Sequence, residues 1–179
     1  MAEMRDRRAR RTRAAVLGAF NQLFLGRRAR QIRAADLIAE AKVGRSTFYE
    51  HYSSADEVLL EALRQPFAHL ADAAAGQGDE AATLWLAEHF WENRQRARDL
   101  FDNVRMRDRV YRLLAAMVAE RLGAAALRLP TELAAAQLAE AALAPLRAWL
   151  YGEAPAKPAA MAEALIRSGA ALRAALAAA

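Results

Sequence analysis

The segment from residue 37 to residue 52 constrains the fold of this chain more than any other part of it. Its apolar residues fall at helical spacing on both sides of a tight turn at residues 42–44. These apolar residues are Leu37, Ile38, Ala41, Val43, Phe48 and Tyr52. Because they would lie on the facing sides of two short helices, one small apolar wedge can hold the two helices at a fixed angle. The segment therefore predicts a helix, a turn and a second helix.

The residues of the second helix that lie outside the wedge are polar and rich in hydrogen-bond donors. They are Arg45, Ser46, Thr47, Tyr49, Glu50 and His51. A helix with a purely structural role has little reason to carry such a face. Two helices joined by a turn of about three or four residues that contains Gly are typical of the helix-turn-helix, whose second helix enters the major groove of DNA. The division of this helix into an apolar side and a polar side therefore predicts that it contacts DNA.

The amino-acid sequence of this segment resembles the signature of the TetR-type transcriptional repressors. The residues that carry the resemblance are Val43-Gly44-Arg45-Ser46-Thr47-Phe48-Tyr49-x-His51-Tyr52, then Ser53-Ser54 and Asp56-Glu57. A common form of the signature has Gly where this chain has Lys42 and Ser where it has Gly44, and a Lys that would contact phosphate where it has Ala55. The resemblance implies an N-terminal three-helix helix-turn-helix DNA-binding domain at residues 1–53. It also implies a C-terminal helical domain for ligand binding and dimerisation at residues 54–179.

The rest of the chain predicts an all-α fold of about nine helices. Only 8 Gly and 5 Pro interrupt it, and Ala, Leu, Arg and Glu dominate, which favours long helices. The clearest predicted breaks lie at Gly26, at residues 76–78, and at residues 152–158, where Gly and two Pro fall together. No stretch shows the alternation of a β-strand, and no internal repeat is present.

The net charge of +5 is concentrated in the N-terminal third of the chain. Residues 1–64 carry 13 Lys and Arg against 8 Asp and Glu, whereas residues 65–179 carry 13 of each. Most of the excess comes from two basic runs: Arg5, Arg7, Arg8, Arg10, Arg11 and Arg13, then Arg27, Arg28, Arg30 and Arg33. Such a run alone is equally consistent with a solvated helix start or a flexible tail. Beside a helix-turn-helix it favours binding to phosphates, because cations that neutralise them release counterions.

Arg45 is suited to fork onto guanine O6 and N7, and Ser46 and Tyr49 are within reach of base edges at neighbouring pairs. The resemblance assigns Tyr49, Thr47 and His51 to backbone phosphates. Two further residues offer phosphate contacts: Lys42 in the turn and Arg33 ahead of the first motif helix. The full predicted DNA-binding set is Arg33, Lys42, Arg45, Ser46, Thr47, Tyr49 and His51.

The C-terminal region contains aromatic and Met side chains that could line a pocket for a small apolar or aromatic ligand. The candidates are Phe67, Trp85, His89, Phe101 and Met117. The alternative is that they belong to the core, which is the more frequent role of aromatic residues at helical spacing. The last two predicted helices suggest a four-helix interface between two copies, and their candidate contacts are Leu146, Trp149, Leu165 and Leu172. The residues alone also allow a hairpin within one chain, and the resemblance favours the homodimer.

No catalytic, metal or cofactor site is predicted. The three histidines, His51, His69 and His89, lie 18 and 20 positions apart, and the chain has no Gly-rich phosphate loop and no Cys. We therefore expect a cytoplasmic protein that is not an enzyme, has no membrane span and binds double-stranded DNA at a palindromic operator. Repression relieved by a small molecule is the favoured hypothesis. The alternatives are a TetR-like DNA binder without an inducer and a basic helical protein that binds membrane surfaces.

Overall fold

The computed structural model describes residues 2–26 and 32–178. Within these residues the chain forms nine α-helices, and the only β-type pairing there is an isolated bridge between Leu127 and Ala177. The helices are α1 (Ala2–Gly26), α2 (Ala34–Ala41), α3 (Arg45–Tyr49), α4 (Ala55–Ala74), α5 (Glu80–Glu92), α6 (Arg94–Asp102), α7 (Val104–Leu122), α8 (Thr131–Tyr151) and α9 (Pro158–Leu176). The predicted all-α fold of about nine helices is confirmed. None of the described helices is long and apolar enough to cross a lipid bilayer.

Polar side chains fix where several of these helices begin. Before α4, the backbone N–H of Ser53 and its hydroxyl each donate to the Glu57 carboxylate at 2.7 Å. At the start of α5, Asp79 accepts a hydrogen bond from the Ala82 N–H at 2.8 Å, and before α7 the side chain of Asn103 plays the same role. These contacts satisfy amide groups that have no partner within the helix.

The first compact unit comprises Met1–Leu63. In it, α1 packs on α2 and α3. Its buried apolar side chains come from all of its helices: Val16, Ala19, Phe20, Ile32, Leu37, Phe48, Tyr52, Val58 and Leu59. The unit extends to residue 63, beyond the predicted boundary after residue 53, and the carboxylate of Glu61 on α4 faces the Tyr52 hydroxyl. The first turns of α4 therefore belong with the helix-turn-helix.

The second compact unit comprises Arg64–Ala179. Here α5 packs on α9, α7 packs on α8, and α6 lies against both α7 and α8. The side chains that are almost wholly buried include Phe67, Leu70, Leu86, Leu114, Leu146 and Trp149. Arg121 on α7 forms an ion pair with Asp72 on α4 and donates to the Ala68 carbonyl at 3.1 Å. These contacts join α7 to the C-terminal half of α4.

A glycine permits a close contact between two helices of the second unit. A Cβ atom added to Gly169 of α9 would lie 1.9 Å from the carbonyl oxygen of Ala73 on α4. No side chain can occupy that space, so the backbones of α4 and α9 approach to a distance that only Gly allows. This contact fixes α9 against the end of α4.

Candidate nucleic-acid interface

The turn between α2 and α3 depends on a residue with left-handed backbone conformation. Lys42 has φ 52° and ψ 40°, and among the described residues it is the only non-glycine residue with positive φ. Its N–H donates to the Ala39 carbonyl at 3.3 Å, and the Val43 N–H donates to the Ile38 carbonyl at 3.3 Å. This is the hydrogen-bond pattern with which helices commonly end at a Gly. The structure therefore explains why the common signature has Gly here, and it shows that Lys42 is held in a strained conformation.

The start of α2 is capped by an acidic side chain, a contact that was not among the predicted features. The backbone N–H of Arg33 donates to the carboxylate of Asp36 at 2.9 Å. An acidic residue three positions after a helix start is the sequence signal for this contact. Because Asp36 satisfies the backbone of Arg33, the exposed Arg33 side chain need not serve as a cap.

The inward side of α3 consists of two aromatic residues. Phe48 is fully buried and Tyr52, just after the helix, is nearly so, which confirms their predicted place in the core. Their ring centroids lie 5.7 Å apart, and Phe48 also meets the ring of Tyr49 edge-on at 5.3 Å. Burial raises the pKa of the Tyr52 hydroxyl, and the nearby carboxylate of Glu61 raises it further. Tyr52 therefore stays neutral at physiological pH.

The outward side of α3 carries the predicted base-contacting residues. Arg45, Ser46 and Tyr49 are exposed, and 47% of the Tyr49 surface is accessible to solvent. The guanidinium of Arg45 lies over the ring of Tyr49, 5.8 Å from its centroid. A cation–π contact of this kind restricts the guanidinium without using its hydrogen-bond donors. The two side chains therefore form one exposed donor surface.

The predicted phosphate-contacting residues lie around this surface. Lys42 and Arg33 are exposed, whereas Thr47 and His51 are half-buried. The described Arg residues of the basic run on α1 are exposed, and Arg10 forms an ion pair with Asp6 at 2.8 Å. Arg27, Arg28 and Arg30 lie outside the described residues, as does the side chain of Arg5.

The five predicted ligand contacts differ in their exposure to solvent. Phe67, Phe101 and Met117 are buried in the core of the second unit. Trp85 is 45% exposed and stacks on His89 with ring centroids 5.2 Å apart, as their spacing on one helix predicted. A groove of about 510 Å³ between α5 and α9 is lined by none of the five; its lining includes Glu80, Leu84, Ala162 and Ile166.

Three of the four predicted dimer contacts are buried within the chain itself. Leu146, Trp149 and Leu165 are each at most 3% exposed, and Leu172 is half-buried. Trp149 stacks on Trp91 with ring centroids 4.8 Å apart, and its indole N–H donates to a backbone carbonyl at 2.9 Å. These three side chains are covered within one chain, because the apolar faces of α8 and α9 pack inward. Helical spacing identifies such a face but not the partner that covers it.

In the described part of the chain, no group of three or more His, Asp or Glu side chains is arranged to hold a metal ion.

Comparison with solved structures finds a similar fold. The chain resembles the crystal structure of a TetR transcriptional regulator from Streptococcus agalactiae 2603V with a TM-score of 0.53 and 24% sequence identity. The match covers 97% of this chain and 99% of that one. No protein-family model and no curated protein matches the sequence significantly. The likeness confirms the fold that the signature implied, along nearly the whole chain.

Proposed function

We propose that this chain is a TetR-type, sequence-specific DNA-binding regulator of transcription. The observation that carries the proposal is the division of α3 and its flank into two sides. Phe48 and Tyr52 face the core, whereas Arg45, Ser46 and Tyr49 face solvent on a helix that begins directly after the turn. In a helix-turn-helix this outward side is the one that enters the major groove. The solved structure of similar fold is itself described as a transcriptional regulator.

In the proposed complex, base contacts and phosphate contacts come from different residues. Arg45 donates two hydrogen bonds to O6 and N7 of a guanine, and Ser46 and Tyr49 contact neighbouring base edges. The exposed cations Arg33 and Lys42, which flank α2, bind phosphates and fix the register of the helix. Thr47 and His51 contact the backbone from the flank of α3. The half-buried position of these two residues suits contacts at the edge of the groove.

The protein acts as a homodimer on a palindromic operator in this proposal. Two α3 helices related by two-fold symmetry would lie roughly 34 to 36 Å apart, one helical turn of DNA. Because the apolar faces of α8 and α9 are covered within the chain, the interface in this proposal uses the outward side of α9. On α9 that side presents small exposed residues, which allow close approach of helices: Ala160, Ala164 and Ala171.

A double variant tests this interface. Ala164→Glu with Ala171→Glu places carboxylates on the outward side of α9 without touching the core, and should convert a dimer into a monomer in light scattering. Ala116→Glu, an equally exposed alanine on α7, is the matched control and should leave the mass unchanged. A monomeric wild type, or a double variant that remains dimeric, would exclude this interface.

Repression relieved by a small apolar or aromatic molecule completes the proposal, and it rests on the resemblance of the motif. A ligand of this kind must bind the arrangement that does not bind DNA more tightly, since only differential affinity moves an equilibrium. A regulator with the same fold and no inducer would bind the same operator but would not be released by any small molecule.

Selection of bound duplexes from random DNA tests the proposed function directly. We expect a palindromic consensus sequence, and an affinity that falls steeply as the salt concentration rises. Selection with Arg45→Ala should lose preference at one base pair of each half-site. If the wild type selects no consensus, or if it binds anionic vesicles in place of DNA, the proposal is wrong.

A further inference from the structure

A second charged site lies in the C-terminal unit, far along the chain from the helix-turn-helix. A depression of about 430 Å³ lies between the start of α7 and the middle of α8. Its lining includes Val104, Arg105, Arg107, Tyr111, Glu140 and Arg147. We propose that this depression binds a small organic monocarboxylate with an apolar tail. This inference goes beyond DNA binding and does not depend on it.

The spacing along α7 gives the depression two kinds of surface. Val104, Arg107 and Tyr111 are separated by three and four positions, so they lie along one side of the helix. Across from them, α8 supplies Glu140 and Arg147, which are seven positions apart and therefore also share a side. A ligand in the depression thus contacts guanidinium groups and apolar surface together.

The cations here are available to a ligand. In the described structure the exposed side chains of Arg105 and Arg107 make no hydrogen bond or ion pair. The guanidinium of Arg147 lies 4.0 Å from the Glu140 carboxylate, at the outer limit of an ion pair. The amides at the start of α7 are already used, because the Asn103 side chain accepts from the Arg105 N–H at 2.9 Å. The guanidinium groups, not the helix terminus, would hold the carboxylate, and they can do so with two parallel hydrogen bonds.

The charge balance favours a ligand with a single negative charge. The lining contains three Arg and two acidic residues, Glu140 and Asp108, and the latter is paired with Arg112 at 2.7 Å. The local sequence carries the same bias: residues 94–112 contain seven Arg against three Asp, whereas the rest of 65–179 contains six basic and ten acidic residues. A small anion is attracted to this surface, whereas the Glu140 carboxylate among the guanidinium groups opposes a polyphosphate or a nucleic-acid strand.

An exposed apolar side chain marks the place of the tail. Val104 is 66% exposed, more than any other large apolar residue of the described chain. The half-buried ring of Tyr111 lies two helical turns further along the same side of α7 and also lines the depression. An apolar tail that covers Val104 would gain about 0.8 kcal/mol for each methylene group that it buries. Hexanoate, which has one carboxylate and a short apolar tail, is therefore a suitable probe.

Methyl NMR of the full chain tests the proposal with three probes. Hexanoate should shift the methyl resonances of Val104 saturably. Hexanamide, which has the tail without the charge, and acetate, which has the charge without the tail, should each bind at least about fivefold more weakly, since each loses one of the two interactions. Equal shifts with hexanoate and hexanamide would overturn the proposal, and so would the absence of a saturable shift with hexanoate.

A pair of variants assigns the charge. Arg107→Gln should weaken hexanoate binding about tenfold, the loss expected for a charge-assisted hydrogen bond. Arg64→Gln removes a cation of α4 that is also exposed and should leave binding unchanged. Both residues lie on the surface, so both variants should fold as the wild type does by circular dichroism. Equal binding by Arg107→Gln and the wild type would refute the assignment, and none of these outcomes bears on operator recognition.

Discussion

Lys42 offers a test in which stability and DNA binding should change in opposite directions. A non-glycine residue in the left-handed region costs about 1–2 kcal/mol. Glycine removes that cost but makes the unfolded chain more flexible, which costs about 0.4–1 kcal/mol. With φ 52° at this position, Lys42→Gly should therefore raise the free energy of unfolding by about 0.5–1 kcal/mol. The two hydrogen bonds that end α2 come from backbone groups, so they are retained.

The same substitution removes the proposed phosphate contact. Operator affinity falls as the salt concentration rises, and a logarithmic plot of one against the other is a line of negative slope. Each lost phosphate contact should make that slope shallower by about 0.9. Urea unfolding followed by circular dichroism measures the first effect, and binding titrations at several salt concentrations measure the second. Lys42→Arg is the control that keeps both the charge and the strain. Stability lower than that of the wild type would refute the argument from the turn, and an unchanged salt slope would refute the phosphate contact.

Three further predictions concern the site and the core. Arg45→Ala should weaken binding to the cognate operator by about 1–3 kcal/mol in competition titrations, whereas His51→Ala should weaken binding evenly across DNA sequences. If the two variants show identical specificity profiles, the division of roles is refuted. Gly169→Ala should lower the free energy of unfolding by at least about 1–3 kcal/mol, because the added Cβ would collide with the Ala73 carbonyl. Gly18→Ala, on α1 with nothing within 4 Å of the added atom, should instead stabilise by about 0.5–1 kcal/mol; thermal scans that show the same sign for both would refute the packing argument.

Much of the fold and part of the site could be predicted from the sequence because the signals are local. Helical spacing placed Phe48 and Tyr52 in the core, and the structure buries both. The scarcity of Gly and Pro predicted long helices, and the breaks near residues 76–78 and 152–158 coincide with gaps between observed helices. These features depend on neighbours a few residues away, which the sequence displays directly.

Contacts between distant segments could not be predicted in this way. Leu146 and Leu165 were assigned to an interface between copies, but they pack within one chain, because an apolar stripe does not specify which surface will cover it. Two features each require segments that are far apart in sequence. They are the close approach of Gly169 to the Ala73 carbonyl and the depression between α7 and α8.

By itself, the sequence determined the helices, the turn at Lys42 and the two sides of α3, since each follows from the backbone preferences and spacing of adjacent residues. Only the tertiary structure decided which apolar faces are covered and which cations remain unpaired. Burial and ion pairing depend on the distances between elements, and packing fixes those distances only once the whole chain has folded.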